Sequence, residues 1–319
     1  MKLALTAGAL ALVAAPAALA QTYPTKPIRL VVGFTPGGGV DINARLFAPK
    51  LSEYLGQQII VENRPGAGTN IANEHVARSA PDGYTTLINT AALVINMSLY
   101  PKLNYDARDL AGVAIFSTST NILVVHASVP VKTVKELVAL ARSRPGALNY
   151  SSSGAGTTQH LTGELFNLRN KIKIVHVPFR GTAPSLTALI SGEVDLSFAN
   201  IPAIHQHVIS GRLRPLASTG PKRAERLPDV PTMREAGIDM EVLVWYGMFV
   251  PRATPREIVN KLADAMHRAA TAPEIQKRLR EMGAEPGDPE LTPEAFDKYV
   301  EAERAQWAEV VKASGAKAN

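Results

Sequence analysis

Short runs of β-branched residues and leucine alternate with amphipathic helical patterns along most of the chain. This alternation is typical of α/β sheets. Strands are predicted at 28–32, 58–62, 84–89, 113–116, 122–126 and 241–250, and near residues 149, 174, 196 and 216. Helices are predicted at 41–55, 70–77, 158–168, 183–190 and 203–209.

Capping signals mark three further helix starts. Thr133 and Glu136 have the spacing of a capping box, in which the hydroxyl accepts a hydrogen bond from a first-turn amide. Thr254 and Thr292 are each followed by a proline, which is favoured at the first helical position. Roughly the last 70 residues have helical patterns, and no low-complexity linker precedes them. We therefore expect this helical tail to pack back onto an earlier sheet.

The first twenty residues form a separate region. Lys2 is followed by an apolar run over 3–15, Pro16 interrupts the helical pattern, and Ala18-Leu19-Ala20 matches a small-x-small cleavage site. This pattern predicts a secretory signal peptide that is removed after Ala20. An uncleaved anchor is the alternative, although the run is short for a membrane span of about 20 residues. We expect the mature protein in a bacterial periplasm, with full secretion as the alternative.

Composition excludes several kinds of chemistry. The 319 residues include no cysteine, which excludes disulfides, thiol nucleophiles, cysteine zinc sites and iron–sulfur clusters. The length fits two domains. Thirty-four Lys and Arg against 28 Asp and Glu give a net charge of +6. The longest basic cluster, 221–226, contains Glu225 and has no adjacent aromatic residue, so we expect no nucleic-acid partner.

A first glycine loop lies between the strand at 28–32 and the following helix. Pro36, Gly37 and Gly38 are followed by a third glycine and then by Asp41. Bare backbone amides beside a helix N-terminus form a cradle for an anion. The alternative is a structural glycine turn in which Asp41 caps the helix and pairs with Arg45.

A second loop repeats this arrangement at 151–158, where Gly154 and Gly156 interrupt a run of serines and threonines. The two glycines resemble the start of a dinucleotide fingerprint, but Gln159 stands where the third glycine belongs. Pro178 and Phe179 occupy the region where an acidic residue would hold a ribose. We therefore expect no nicotinamide cofactor, and the hydroxyl-rich loop suits a carboxylate better.

No complete catalytic or metal-binding set is found in the sequence. Ser151 stands where a Gly-x-Ser-x-Gly nucleophile elbow requires glycine, and the seven histidines are scattered. His205 and His207 form the only close pair and have no acidic neighbour. His160, one turn into the helix after the second loop, is the most notable histidine, with structural hydrogen bonding as the alternative to ligand contact. We expect no metal, no cofactor and no enzymatic activity.

Six segments together strongly resemble the substrate-binding proteins of tripartite tricarboxylate transporters, also called the Bug family. They occur in the family's order over most of the chain, at 23–41, 61–68, 81–85, 150–161, 177–181 and 227–237. The resemblance implies a fold of the periplasmic binding protein type II-like class. In that fold, two α/β domains are joined by two crossover strands around a ligand cleft. The first domain would comprise 22–121 plus 246–319, and the second 122–245, after a signal peptide at 1–20.

The resemblance also implies ligand-binding residues, which contact small carboxylates largely through backbone amides and ordered water. From the first domain they would be Phe34, Pro36, Gly37, Gly38, Asp41, Thr90 and Ala91. From the second they would be Ser153, Gly154, Gly156, Thr157, His160, Arg180, Gly181 and Asn200. The chain departs from the family at Phe179, where a tyrosine is common, and at Ala199, where an aspartate is common. Without that aspartate, an amino-acid ligand is disfavoured.

The function implied is that of a monomeric receptor that closes on a small carboxylate and delivers it to membrane permease subunits. The carboxylate would be a dicarboxylate, a tricarboxylate or an aromatic acid. One alternative is a ligand sensor for a signalling partner such as a membrane kinase. Another is an exported hydrolase on the same fold that uses a serine among 151–153.

Overall fold

The computed structural model describes residues 23–318, which form ten strands and ten α-helices. The strands are β1 (Ile28–Val32), β2 (Ile59–Asn63), β3 (Thr85–Asn89), β4 (Leu110–His126), β5 (Asn149–Ser152), β6 (Val175–Pro178), β7 (Leu196–Asn200), β8 (Leu213–Ser218), β9 (Leu243–Pro251) and β10 (Ala284–Pro286). The helices are α1 (Gly39–Leu55), α2 (Asn70–Ala77), α3 (Ala92–Leu99), α4 (Val134–Ser143), α5 (Thr158–Asn170), α6 (Thr182–Ser191), α7 (Ile201–Ile209), α8 (Arg256–Thr271), α9 (Pro273–Glu281) and α10 (Pro293–Ser314). Within 23–318, none of the helices is long and apolar enough to cross a bilayer. The predicted signal peptide lies outside the described residues.

The strands form one sheet in the order β2-β1-β3-β9-β4-β7-β5-β6, and β8 and β10 also pair with β4. Strands β1, β2 and β3 are parallel to one another, as are β5, β6 and β7. Strand β9 runs antiparallel to β3 and β4. Parallel strands linked by helices explain the alternating pattern of the sequence.

Strand β4 joins two sections of this sheet. Up to Thr120 it pairs with β9 and β10, whereas from Asn121 onward it pairs with β7 and β8. We call β1–β3, β9, β10 and residues 110–120, with α1–α3, α8, α9 and the loops between them, the first section. The second section is β5–β8 and residues 121–126, with α4–α7 and the loops between them. The predicted domain boundaries remain a prediction, but the change of pairing falls at the residue where the first domain was expected to end.

The sequence predicted two short strands, 113–116 and 122–126, where the structure has one strand of 17 residues. The prediction was wrong because the residues between them are polar, and a polar run is typical of a loop. Two of those hydroxyls are bonded inside the protein: Ser117 Oγ donates to Asn43 Oδ1 at 2.6 Å, and Thr120 Oγ1 lies 3.0 Å from Ser218 Oγ. A satisfied polar group can remain in a buried strand.

The helical tail packs back onto the sheet, as the sequence predicted. Helix α8 contacts α1 and β4, whereas α10 contacts α3, β4 and α5. Because α3 belongs with the first section and α5 with the second, α10 touches both. Ile95 of α3, Leu161 of α5 and Val310 of α10 are buried in one continuous apolar cluster.

Of the three capping threonines, two act as predicted. Thr133 Oγ1 accepts from the amide of Glu136 at 3.1 Å, and Thr292 Oγ1 accepts from that of Ala295 at 3.2 Å. The prediction for Thr254 was wrong, because Pro255 is extended (φ −53°, ψ 138°) and the helix begins one residue later. The Thr254 hydroxyl is buried and has no partner among the described residues.

Candidate functional site

Loops from both sections converge on one small cavity. It lies where the carboxyl ends of β1, β3, β5 and β7 meet the middle of β4 and β9, and its volume is about 60 Å³. Its lining consists of Phe34, Thr35, Gly38, Gly39, Val40, Thr90, Asn121, Ser153, Thr157, Thr158, Gln159, Gly181, Thr182, Asn200, Val244 and Tyr246. We call it the central cavity. Ligands of open α/β sheets bind at this end of parallel strands.

Three helices begin at the central cavity. Gly38, Thr157 and Gly181 are the N-cap residues of α1, α5 and α6, and each of them lines the cavity. The first amides of a helix have no partner within the helix, and the N-terminus has a partial positive charge. The arrangement therefore offers an anion several backbone donors from both sections.

Among residues 23–318, no charged side chain lines the central cavity. The polar lining consists of hydroxyls and amides instead. Three of its buried polar atoms have no hydrogen-bond partner within residues 23–318: Asn121 Nδ2, Thr158 Oγ1 and Asn200 Oδ1. Leaving a buried donor or acceptor unsatisfied costs about 1–3 kcal/mol. These atoms therefore indicate a place where a polar molecule completes the hydrogen bonds.

The glycine at position 39 is required by the close packing of the cavity floor. A Cβ added there would come within 2.8 Å of the Tyr246 hydroxyl and 3.2 Å of Asn200 Nδ2. Burial raises the pKa of Tyr246, so that its hydroxyl stays protonated near neutral pH. The first turn of α1 thus lies directly against a floor supplied by β7 and β9.

Asp41 supports the first glycine loop from behind. Its Oδ2 accepts from the Gly37 amide at 2.9 Å, and its Oδ1 accepts from Arg45 Nε at 3.0 Å and from Asn63 Nδ2 at 2.9 Å. Burial alone would raise the pKa of Asp41, but these hydrogen bonds and the Arg45 charge together lower it. The suggestion that Asp41 caps α1 was wrong, because the helix begins at Gly39 with Gly38 as its N-cap. Its pairing with Arg45 is confirmed.

The second glycine loop is held by hydrogen bonds of its own residues. The Ser153 amide donates to Gln159 Oε1 at 2.9 Å, and Thr157 Oγ1 donates to the Gly154 carbonyl at 2.8 Å. The Gly156 amide donates to His160 Nδ1 at 3.2 Å. Because that bond occupies the Gly156 amide, this glycine shapes the loop and does not present its N–H to the cavity.

Two stacked imidazoles lie beneath this loop. The rings of His160 and His176 are parallel within 13°, with centroids 3.8 Å apart. His176 Nε2 lies 2.7 Å from Ser152 Oγ, and that hydroxyl accepts from the Gly154 amide at 3.1 Å. Burial lowers the pKa of His160 to about 4, and burial with the neighbouring His160 lowers that of His176 to about 3. Both rings are therefore neutral near neutral pH.

Two larger cavities adjoin the central one. The first, of about 540 Å³, shares Phe34, Thr35 and Ser153 with it and contains Arg180; we call it the Arg180 cavity. The second, of about 300 Å³, shares Gly39, Thr182, Asn200 and Tyr246 with the central cavity. It lies between α1 on one side and α6 and α7 on the other, and we call it the α1–α6 groove. Of the residues that the structure describes, Arg180 is the only charged one lining any of the three.

The structure places the predicted site residues unevenly around these cavities. The central cavity is lined by Phe34, Gly38, Thr90, Ser153, Thr157, Gly181 and Asn200. Gly154 and Arg180 line the Arg180 cavity, and Gly37 lines the α1–α6 groove. Pro36, Asp41, Ala91, Gly156 and His160 line none of the three. Their part in ligand contact stays a prediction, and the geometry gives Asp41, Gly156 and His160 a supporting position behind the two loops.

Nine lining residues were not named individually by sequence reasoning, namely Thr35, Gly39, Val40, Asn121, Thr158, Gln159, Thr182, Val244 and Tyr246. Six of these lie in or next to loops that were identified. Asn121, Val244 and Tyr246 come instead from β4 and β9, whose position at the cavity floor follows from the tertiary fold. The one available signal was the polar run that ends at Asn121 inside an otherwise apolar strand.

Ser151 and Ser152, at the end of β5, do not form an accessible nucleophile with a base. The Ser152–His176 pair is hydrogen-bonded, but Ser152 is completely buried and lines none of the three cavities. Ser151 is also completely buried and accepts from Ser185 Oγ at 2.8 Å. Within residues 23–318, no three His, Asp or Glu side chains are grouped as metal ligands.

Comparison with known proteins links this architecture to a receptor family. A model of the tripartite tricarboxylate transporter family receptor matches residues 43–316. Protein BugT of Bordetella pertussis is 34% identical over 309 residues, which cover 96% of this chain and 94% of BugT.

Two solved structures from Rhodopseudomonas palustris are similar in fold and sequence. Rpa4515 with adipate is 39% identical with a TM-score of 0.86, covering 93% of this chain and 100% of that chain. MatC with bound malate is 33% identical with a TM-score of 0.84, covering 91% of this chain and 100% of that chain. These similarities confirm the predicted fold class.

Proposed function

Because the chain belongs to the tripartite tricarboxylate transporter receptor family, a class of solute-binding receptors, we propose that it binds a small carboxylate and delivers it to a membrane permease. The carboxylate binds in the central cavity, between the two sections. The leader predicted at residues 1–20 supports a periplasmic location.

Two of the unpartnered polar atoms of the central cavity, the donors Asn121 Nδ2 and Thr158 Oγ1, carry this proposal. A carboxylate has four acceptor positions and no donor. It can accept from Asn121 Nδ2 and Thr158 Oγ1 as well as from first-turn amides of α1, α5 and α6. Backbone dipoles stabilise the negative charge in place of a cationic side chain. The proposed contacts from the predicted set are Phe34, Gly38, Thr90, Ser153, Thr157, Gly181 and Asn200.

The ligand is expected to lack an ammonium group. Neither the central cavity nor its two neighbours is lined by an acidic side chain. A buried cation without a partner is strongly disfavoured. Adipate and malate, which are bound in the two Rhodopseudomonas structures, meet this condition and are the first ligands to test.

Binding is coupled to closure because both sections contribute donors. A ligand that bridges the two sections stabilises the closed form, in which the sections are in contact. The size of this stabilisation is set by how much more tightly the ligand binds the closed form than the open form. Receptor closure needs no nucleophile or base, in keeping with the buried position of Ser152, the hydrogen-bond partner of His176. A membrane partner then distinguishes the closed form from the open one.

Isothermal titration calorimetry and thermal unfolding of protein refolded from denaturant test the proposal. Adipate or malate at 100 times its Kd should raise the free energy of unfolding by about 2.7 kcal/mol. Aspartate should give a much smaller effect. If no small carboxylate changes the melting temperature or gives heat of binding, the proposal is wrong.

A matched pair of variants tests the site. Thr158→Val removes an unpartnered hydroxyl of the cavity and should weaken carboxylate binding about tenfold without loss of stability, since about 1.4 kcal/mol corresponds to a tenfold change. Thr162→Val removes a hydroxyl of the same helix that donates to the Thr158 carbonyl at 2.6 Å. This control should lower stability and leave the Kd unchanged.

A further inference from the structure

The α1–α6 groove differs from the central cavity in its chemistry. Its walls bring Ile42 and Met282 from the first section opposite Leu186 from the second, with small side chains between them. The small apolar residues are Ala183, Pro202, Ala203 and Ala284. Ile42 is 37% exposed, which makes it one of six large apolar side chains left exposed within residues 23–318. The groove therefore presents apolar surface from both sections to whatever enters it.

This groove adjoins the central cavity, and Gly39 packs against Tyr246 and Asn200 at their boundary. Gly39, Thr182, Asn200 and Tyr246 line both spaces. A molecule whose carboxylate lies beside Asn121 and Thr158 would enter the groove past Tyr246 when the contact of Gly39 with Tyr246 and Asn200 opens. The volume of about 300 Å³ is at the lower end of the range for small-molecule sites.

The two spaces into which a ligand can extend, the α1–α6 groove and the Arg180 cavity, differ in charge. Among the described residues, no charged side chain lines the groove, whereas Arg180 lines the Arg180 cavity on the other side of the shared lining residues. An ionised group in the groove would lose hydration and gain no partner, which is unfavourable. Each buried methylene, in contrast, contributes about 0.8 kcal/mol.

We propose that the α1–α6 groove is the subsite for an uncharged, apolar part of the carboxylate ligand, an alkyl chain or an aryl ring. This inference rests on the proposed carboxylate site and adds to it a preference for acids with an apolar body. Contact of that body with Ile42 and Leu186 brings α1 and α6 together, so the apolar part also contributes to closure.

Calorimetric titration of refolded protein with acetate, butyrate, hexanoate and octanoate tests the subsite. The Kd should fall about fourfold for each methylene that enters the groove, which corresponds to about 0.8 kcal/mol, and should level off when the groove is full. Adipate and malate, whose second ionised group is disfavoured in the groove, are titrated in parallel as probes that do not depend on it.

Two aspartate variants at comparable exposed helix positions separate the groove from the rest of the surface. Ile42→Asp places a carboxylate in the groove and should abolish the gain in affinity from butyrate to octanoate. Ile71→Asp is the control, because Ile71 lies near the start of α2, is 51% exposed and lines none of the three cavities. It should keep the wild-type dependence on chain length.

Ala183→Phe gives a second test by filling the groove from α6. Octanoate should then bind no more tightly than butyrate, and circular dichroism establishes that the variant is folded. A Kd that is independent of chain length in the wild type, or a gain that survives in Ile42→Asp, overturns the subsite and leaves the carboxylate site intact. Failure of every acid to bind, adipate and malate included, overturns the proposed function itself.

Discussion

At the scale of single residues, the protonation of His160 and His176 makes the support of the second glycine loop depend on the pH of the solution. His160 accepts the Gly156 amide only while Nδ1 is unprotonated, and a proton on either ring would place a charge in a stacked, buried pair. The pair thus supports the loop in its neutral form, although neither ring lines a cavity.

Stability should fall as the solution is acidified below the pKa of an unfolded histidine. His160 has a folded pKa of about 4 and an unfolded pKa of about 6.5, so between these values the unfolded chain binds the proton and the folded chain does not. The free energy of unfolding should therefore decrease by about 3 kcal/mol from pH 6.5 to pH 4 through His160 alone. Urea unfolding at pH 7.5, 5.5 and 4.5 measures this decrease.

His160→Gln removes the titrating ring and keeps an acceptor for the Gly156 amide, so its stability should depend less on pH in that range. His126→Gln, which changes a histidine bonded to Ser128 in an exposed turn, should keep the wild-type dependence. Equal slopes for His160→Gln and wild type would show that His160 does not control the acid response.

Arg180 should distinguish dicarboxylates from monocarboxylates. It is exposed, has no ion pair within the described chain and is the single cation at the three connected cavities. Arg180→Gln should therefore weaken adipate binding by up to about fivefold, as expected for an exposed charge pair of up to about 1 kcal/mol. Hexanoate binding should change less than twofold. Calorimetry with both acids checks this, and an equal loss for both would contradict it.

At the scale of elements, a capping residue is effective only if the helix starts where its hydroxyl can reach. Thr133→Ala should lower the free energy of unfolding by about 1 kcal/mol, because the Thr133 hydroxyl accepts from the Glu136 amide. Thr254→Ala should change it by less than about 0.5 kcal/mol, because its hydroxyl bonds to nothing in the described structure. Denaturant titrations of both variants at pH 7 give the comparison, and similar losses would refute the difference in capping.

Elements with a clear hydrophobic period could be predicted from the sequence, and those without one could not. The helix at α8 buries one face of a strongly amphipathic pattern, and it was expected. Helix α3 was missed because six of its eight residues are buried, so that no polar face marks its period. The three-residue strand β10 has no pattern long enough to be recognised and exists because it pairs with Ser117–Ser119 of β4.

The residues of the candidate site also fall into those that the sequence could predict and those that it could not. Both glycine loops were found because the glycines and the following helix are adjacent in sequence. Asn121 and Tyr246 were missed because they are 125 positions apart and meet only through the pairing of β4 with β9. Local sequence therefore predicts the donors at helix starts, whereas the floor of the cavity depends on the complete sheet.

At the scale of the whole molecule, contact between loops of the two sections can be fixed covalently. A Cβ added at Gly181 would lie 4.0 Å from the Thr35 Cβ, within the usual range for a disulfide. The protein has no cysteine of its own, so Thr35→Cys with Gly181→Cys gives one defined crosslink. The oxidised variant should bind adipate at least tenfold more slowly than the reduced one, because the sections cannot separate to admit it.

Comparison of the oxidised and reduced forms removes the effect of the substitutions themselves. The single variant Gly181→Cys measures the strain at this position, whose φ of +113° favours glycine. Stopped-flow binding with and without reductant gives the rates. If oxidation leaves the association rate unchanged, the ligand enters by a path that does not require the sections to separate at these loops.

The absence of charged side chains around the central cavity sets how binding responds to ionic strength. Mobile ions screen exposed charges beyond a Debye length of about 10 Å at 0.1 M salt, but they barely reach dipoles fixed at buried helix ends. A monocarboxylate held only by such donors should therefore have nearly the same Kd in dilute and concentrated buffers. The receptor would report the concentration of its ligand with little interference from the salinity around the cell.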